Sequence, residues 1–194
     1  MSENDRDELV KFFNDQAERA AWPTRCDLVL SFSSQMLREA LAVWRSQSVG
    51  QHYPSRADMS PRAMKKFLPN VAIVEVCEED GRFRSRLRVT GAWIDQHLIP
   101  ASSQFLDELL PEPFLGRWQG LLKLSLDVGG PIRCITEGLQ FRHQDFLSAE
   151  TFFGPLAEPG KRPTAVLAVM TVHSRFKSAS ASRSQTQVQK VSLS

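Results

Sequence analysis

The apolar positions change period several times along the chain. In residues 4 to 20, Leu9, Phe12, Phe13, Ala17 and Ala20 recur at helical spacing and Pro23 stops the run, which predicts an amphipathic helix. A second helix is predicted at about 33 to 48, where Met36, Leu37, Ala40, Leu41, Val43 and Trp44 make one broad stripe that ends before Gly50. Residues 50 to 61 then turn polar and proline-bearing. Asp58 or Ser60 can cap a short third helix from Pro61 to Pro69.

Period two follows. VAIVEV (71–76) and RFRSRLRVT (82–90) are β-rich runs separated by the turn residues Asp80 and Gly81. A two-residue turn sets Glu79 opposite Arg82, and every further pair follows in the same register. One face then collects Ala72, Val74, Val76 and Glu78 with Phe83, Ser85, Leu87 and Val89. The other collects Ile73, Glu75, Cys77 and Glu79 with Arg82, Arg84, Arg86 and Arg88. A slip of one residue would destroy this sorting.

Beyond Gly91, short helical pieces (AWIDQHLI, FLDELL) are broken by Pro100 and Pro111. A longer helix is predicted at about 113 to 127, with Phe114, Leu115, Trp118, Leu121, Leu122 and Leu126 on one side, ending at Gly129 and Gly130. Three strands close the body, at about 131 to 141, 146 to 155 and 164 to 173. The last, TAVLAVMTV, is apolar on both parities and reads as a central strand covered on both faces.

Composition narrows the class. The 194 residues suit one core with extensions. With 24 basic and 22 acidic residues the net charge is +2, too small for a general nucleic-acid binder. The charge is uneven: residues 174 to 194 carry Arg175, Lys177, Arg183 and Lys190 with no acid. This Ser-rich tail has little to bury and is expected to be disordered. No run reaches the roughly 18 apolar residues of a membrane span, and the N-terminus is no basic leader, so no membrane insertion and a cytoplasmic address are expected. Cys26, Cys77 and Cys134 are far apart and never in a CxxC pair, so they are expected to pack as small hydrophobes rather than build a disulfide framework or a zinc site. The resulting division is a helical extension (1–50), a domain (51–173) and the tail (174–194).

The order of elements is that of a PAS domain. PSRADMSPRAMKKFLPNVAIVEV resembles the "RSDIDP…LP…V" opening of a family of small bacterial PAS-like proteins. DGRFRSRLRVTG is similar to its "FRYRLVGT" strand, FLDELLP to its "LDEL" segment and AETFFGPLAEPGKRP to its "E…PL…G" hairpin. Together these stretches span about residues 40 to 173. The resemblance implies an α+β fold: a PAS-like five-stranded antiparallel sheet, short helices and the 113–127 helix on one face, and N-terminal flanking helices on the opposite face or paired with a second copy. It also implies a cavity between sheet and helices that often holds a small molecule.

On that reading Phe83, Ser85, Leu87, Val89, Trp93, Phe105 and Trp118 are candidate ligand-pocket residues. Aromatics at these spacings are more often plain core, and the plainer role of Ser85 and Thr90 is a local backbone hydrogen bond. Arg84 and Arg88, which have no acid directly opposite, are the candidate surface anion sites. His52, His97, His143 and His173 show no metal-ligand spacing, so no metal site is named. His97 alone lies near the position where some PAS domains ligate haem, and the flavin-reactive cysteine motif of light-sensing PAS domains is missing. The cofactor is left unknown. No GxSxG, P-loop or GxGxxG occurs, and no catalytic residue is named.

The expected function is therefore a non-catalytic sensory, signalling or protein-interaction module, with a small-molecule ligand or a signalling protein as partner. A homodimer is expected through the apolar stripe of residues 9 to 20. One alternative is a small cone-shaped α+β enzyme using a pocket acid, with Glu78, Glu137 and Glu150 as the acids in question. The other is weak nucleic-acid or anion binding through the arginine strand and the basic tail.

Overall fold

In the computed structural model, which describes residues 2–48, 53–79, 81–97, 104–138 and 147–174, the first apolar stripe lies on helix α1 (Glu3–Arg19). A reciprocal cap starts it: the Asp5 amide donates to Ser2 Oγ at 3.1 Å, and the Asp5 carboxylate accepts from the Ser2 amide at 2.8 Å. Strand β1 (Thr24–Asp27) follows, then α2 (Gln35–Gln47). The short helix expected at Pro61 to Pro69 is instead a run of turns closing in a 3-10 turn at Leu68–Asn70. Pro69 inside that turn has no amide to extend an α-helix.

The hairpin comprises β2 (Val71–Glu79) and β3 (Arg82–Thr90). Next come α3 (Ala92–His97), α4 (Leu106–Leu109) and α5 (Phe114–Val128). The chain ends its described part with β4 (Ile132–Glu137), β5 (Leu147–Leu156) and β6 (Ala165–Ser174). All pairings are antiparallel and the order is β1-β4-β5-β6-β2-β3. The α+β, PAS-like architecture expected from sequence is present, with a sixth strand added. That strand, β1, is only four residues long and reads TRCD, too short and polar to give a period-two signal.

Two apolar layers sandwich the sheet, and β6 shows both. Its Val166, Ala168 and Met170 join the layer under α1, α3, α4 and α5; its Ala165, Leu167 and Val169 join the layer under α2 and the 53–70 segment. The two-sided apolar pattern of residues 164 to 173 is thus that of a central strand. On the second layer, Trp44 donates from Nε1 to the Pro155 carbonyl at 3.0 Å, and a Cβ on Gly154 would sit 2.7 Å from its ring.

Helix α2 covers the face opposite α5, as expected of a flanking helix, but α1 does not. Val10, Phe13 and Ala17 are buried against the α5 side. The approach is possible because α5 offers Gly120, where a Cβ would lie 3.1 Å from Phe13; Gly116, one turn earlier, faces Trp22 just past α1. The stripe of residues 9 to 20 is therefore mostly spent inside the molecule, and only Phe12, 64% exposed, remains a large exposed apolar side chain on that helix. The homodimer surface expected on the stripe needs this correction. Among the described residues no helix is long and apolar enough to cross a membrane. Apart from Ser174, the basic tail lies outside the described residues.

Candidate functional site

The candidate pocket lies between the hairpin end of the sheet and α3, α4 and α5. It is lined by Asn70, Ala72, Val74, Leu87, Ile94, Leu106, Trp118, Ala168 and Met170. Asn70 is the polar exception, and its side-chain amide is already committed to the Met170 carbonyl at 2.9 Å. The cavity measures about 10 Å³, room for about one water at most.

Two of the pocket candidates, Leu87 and Trp118, line this space. Phe83 and Trp93 pack against the same layer without lining the cavity, and Phe83 borders a separate depression with Val76 and Leu126. Ser85 is buried on this side with its Oγ unpartnered, so the expected local hydrogen bond is not made. Val89 is not there. The register runs as expected from Glu79↔Arg82 to Val74↔Leu87, then shifts so that Ile73 faces Val89. The extra residue is Arg88, a β-bulge. It turns Val89 to the other layer, against the α2 side.

Phe105 is also misplaced by the sequence reading. It bridges to Arg86 at the free edge of β3, and the guanidinium groups of Arg84 and Arg86 lie over its ring at 3.5 and 4.1 Å from the centroid. Such contacts contribute roughly 0.5–2 kcal/mol. Phe105 thus props the arginine face instead of lining the cavity.

The arginine stripe differs from expectation in the opposite sense as well. Arg84 pairs with Glu79 and Asp107 at 3.0 Å and with Glu108 at 3.3 Å. Asp107 foremost, and then Glu79, raise its pKa still further. The bulge brings Arg88 onto Glu75, the acid that the unbulged register sets against Arg86. The two candidate anion sites are therefore the two arginines of the strand most fully engaged by acids.

His97 stacks on Trp93, ring centroids 4.7 Å apart, and its Nδ1 meets the Trp93 carbonyl at 2.9 Å. Thr90 donates to Asp95, which ties the end of β3 to α3. His52 and His143 lie outside the described residues. No group of three or more His, Cys, Asp or Glu side chains placed to hold a metal ion is found among the described residues.

The sequence reading missed what the most buried acid does. Glu150 is 4% exposed. It accepts from the Ser33 amide at 3.0 Å, Ser33 Oγ at 2.6 Å, the Ser34 amide at 3.2 Å and Arg133 Nε at 2.7 Å. Arg133 is steadied in turn by Asp27 on β1 at 3.1 Å. Burial pushes the Glu150 pKa up, but the Ser33 hydroxyl, Arg133 and the two amides outweigh it and hold the group below the ordinary value. Glu150 is a cap for α2, where a carboxylate at a helix N-terminus is stabilised. The Ser-Ser pair before an apolar run signals the helix start; nothing local signals a cap from 117 residues away. Glu78 and Glu137 are exposed.

A second depression lies along α1 and β1: an open groove of about 1000 Å³ bordered by Glu3, Asp7, Asp15, Glu18 and Asp27, with Lys11 and Arg25.

Comparison with known families finds that residues 32–98 match the model of a PAS domain. The match covers α2, the turn segment, the β2–β3 hairpin and α3, and agrees with the PAS-like resemblance carried by the sequence motifs. No curated protein matches the chain, and no solved structure does.

Proposed function

We propose that this chain is a non-catalytic PAS-like sensory or protein-interaction module whose input, if chemical, is a small apolar molecule rather than a bulky cofactor. The observation that supports this reading is the cavity under the hairpin: apolar on nearly every side and about 10 Å³, against the roughly 300–1,000 Å³ of a pocket for a drug-sized ligand. A haem or flavin would have to displace Leu87, Trp118 and Ile94 together. A ligand of a few carbon atoms needs only one of them to move.

Output belongs to the surface. The outer face of α1 with Phe12, and Val29 just past β1, are the exposed large apolar side chains among the described residues. A partner protein, or a second copy of the chain, docks there without breaking the α1–α5 packing. The enzyme alternative draws no support from Glu78, Glu137 or Glu150, none of which borders the cavity. The nucleic-acid alternative draws none from Arg84 or Arg88, whose charges are met within the fold.

Native mass spectrometry of protein purified from its own host tests the reading. The expected spectrum shows the chain without haem or flavin, free or holding a small apolar molecule. A stoichiometric haem or flavin in that spectrum overturns it. Replacing Phe12 with serine should weaken self-association or partner capture without lowering the melting temperature.

A further inference from the structure

Cys26 and Cys134 are more than two small buried residues. They are direct partners across the β1–β4 ladder, and both are 1% exposed in the same apolar layer. The pair type is fixed by the backbone. The Glu137 amide donates to the Pro23 carbonyl at 2.7 Å, which makes that pair and every second one after it the hydrogen-bonded ones. The Cys26 amide and carbonyl point the other way, to the side chain of Asn14, at 2.8 and 3.0 Å.

Cys26↔Cys134 is thus a non-hydrogen-bonded pair, the closer of the two antiparallel types, with Cα atoms typically about 4.5 Å apart. That separation falls inside the roughly 4.4–6.8 Å span of disulfides. Two residues earlier on the same face, Thr24 Oγ1 and Thr136 Oγ1 meet at 3.1 Å, so side chains do touch across this ladder. Burial, with Cys134 close by, pushes the Cys26 thiol pKa up, so the thiol ionises only once β1 opens to solvent. Arg117, 7% exposed and without an acid partner among the described residues, lies within electrostatic reach of Cys134.

We propose that Cys26 and Cys134 form a reversible cross-strand disulfide on exposure to a peroxide, fastening the α1–β1 segment to the sheet. One thiolate attacks the peroxide, gaining an oxygen as sulfenic acid and releasing hydroxide or alkoxide. The second thiolate attacks that sulfur, forms the S–S bond and expels the oxygen as water. Two electrons pass from the thiols to the peroxide, and the two thiol protons end on the released oxygens. Access comes through the four-residue edge strand, whose outward backbone groups at Cys26 are held by Asn14. Asn14 is accordingly a gate: removing its amide frees β1 to open.

The test uses the full chain, purified reduced and treated with stoichiometric hydrogen peroxide. Expected are loss of two hydrogens in the intact mass, a non-reducing peptide map joining the Cys26 and Cys134 peptides, a melting temperature higher by about 5–15 °C, and reversal by dithiothreitol. Cys26→Ala and Cys134→Ala should each abolish the link. Asn14→Ala should speed it about 5–30-fold, the equivalent of two lost hydrogen bonds. If both thiols remain alkylatable while half-buried Cys77 is the residue oxidised, or if the link forms only in denaturant, the proposal fails. Should an alanine variant not fold, the alkylation pattern of the native chain decides alone. This outcome is independent of what native mass spectrometry finds in the cavity.

Discussion

Replacing Glu150 with glutamine tests whether the buried carboxylate fastens α2 to the sheet. The substitution keeps size and one acceptor oxygen, but it sets an NH2 group against the donors Ser33 N, Ser33 Oγ, Ser34 N and Arg133 Nε. It also removes the negative charge that faces Arg133, whose side chain is 17% exposed. Breaking a buried pair by removing one member costs about 3–5 kcal/mol. Arg133 keeps Asp27 and the glutamine keeps one oxygen, so about 2–4 kcal/mol is expected here. For a chain of this length that lowers the melting temperature by about 5–15 °C.

Thermal melts followed by circular dichroism, repeated from pH 7 to pH 3, check both size and sign. The folded Glu150 pKa lies below the ordinary 4.5. A depressed carboxylate contributes stability that is present above its unfolded value and lost as the pH falls through the folded one. The wild type should therefore lose this contribution below about pH 4.5, and Glu150→Gln, already without it, should give a flatter profile there. A double-mutant cycle with Arg133→Met should show coupling of about 1–3 kcal/mol. A melting temperature within 2 °C of wild type, which corresponds to roughly 1 kcal/mol or less, would refute the capping role.

Other substitutions probe the remaining layers. Leu87→Ala should cost about 2–5 kcal/mol, and the enlarged apolar cavity should take up xenon, seen as a rise in melting temperature under gas pressure. Gly91→Ala should be among the most damaging small changes, because its Cβ would land on the Leu68 and Pro69 carbonyls; little folded protein is expected on expression. Arg84→Ala should be mildly destabilising through loss of the Phe105 contact and of its partly exposed acids, with most of the ion-pair share vanishing in 1 M salt. Urea melts at two salt concentrations separate the two parts.

Where the fold was legible, the signal was local and periodic. The hairpin register follows from a two-residue turn and a strict alternation, and the six pairs from Glu79↔Arg82 to Val74↔Leu87 obey it, up to the bulge beyond. The bulge at Arg88 was not legible, since an extra residue in a strand leaves the alternation intact up to the point where it acts. One such residue moved Val89 to the opposite layer and gave Arg88 the carboxylate of Glu75. Strand β1 was illegible for a different reason. Its stability comes from β4 on one side and the Asn14 amide on the other, neither written in TRCD itself.

The same distinction bears on function. The PAS-like reading rested on ordered motifs, and the 32–98 match and the sheet agree with it. The site residues depended on which way each side chain turns, and that is set by neighbours far along the chain. Phe105 has the spacing of a pocket aromatic, yet the two arginines over its ring hold it at the edge of β3. Leu87 and Trp118 reach the cavity because α5 is held against the sheet, and α5 in turn accommodates Phe13 of α1 at Gly120. Helix α1 thereby touches the same helix whose Trp118 lines the cavity. The segment carrying Cys26 is packed against the helix that lines the cavity.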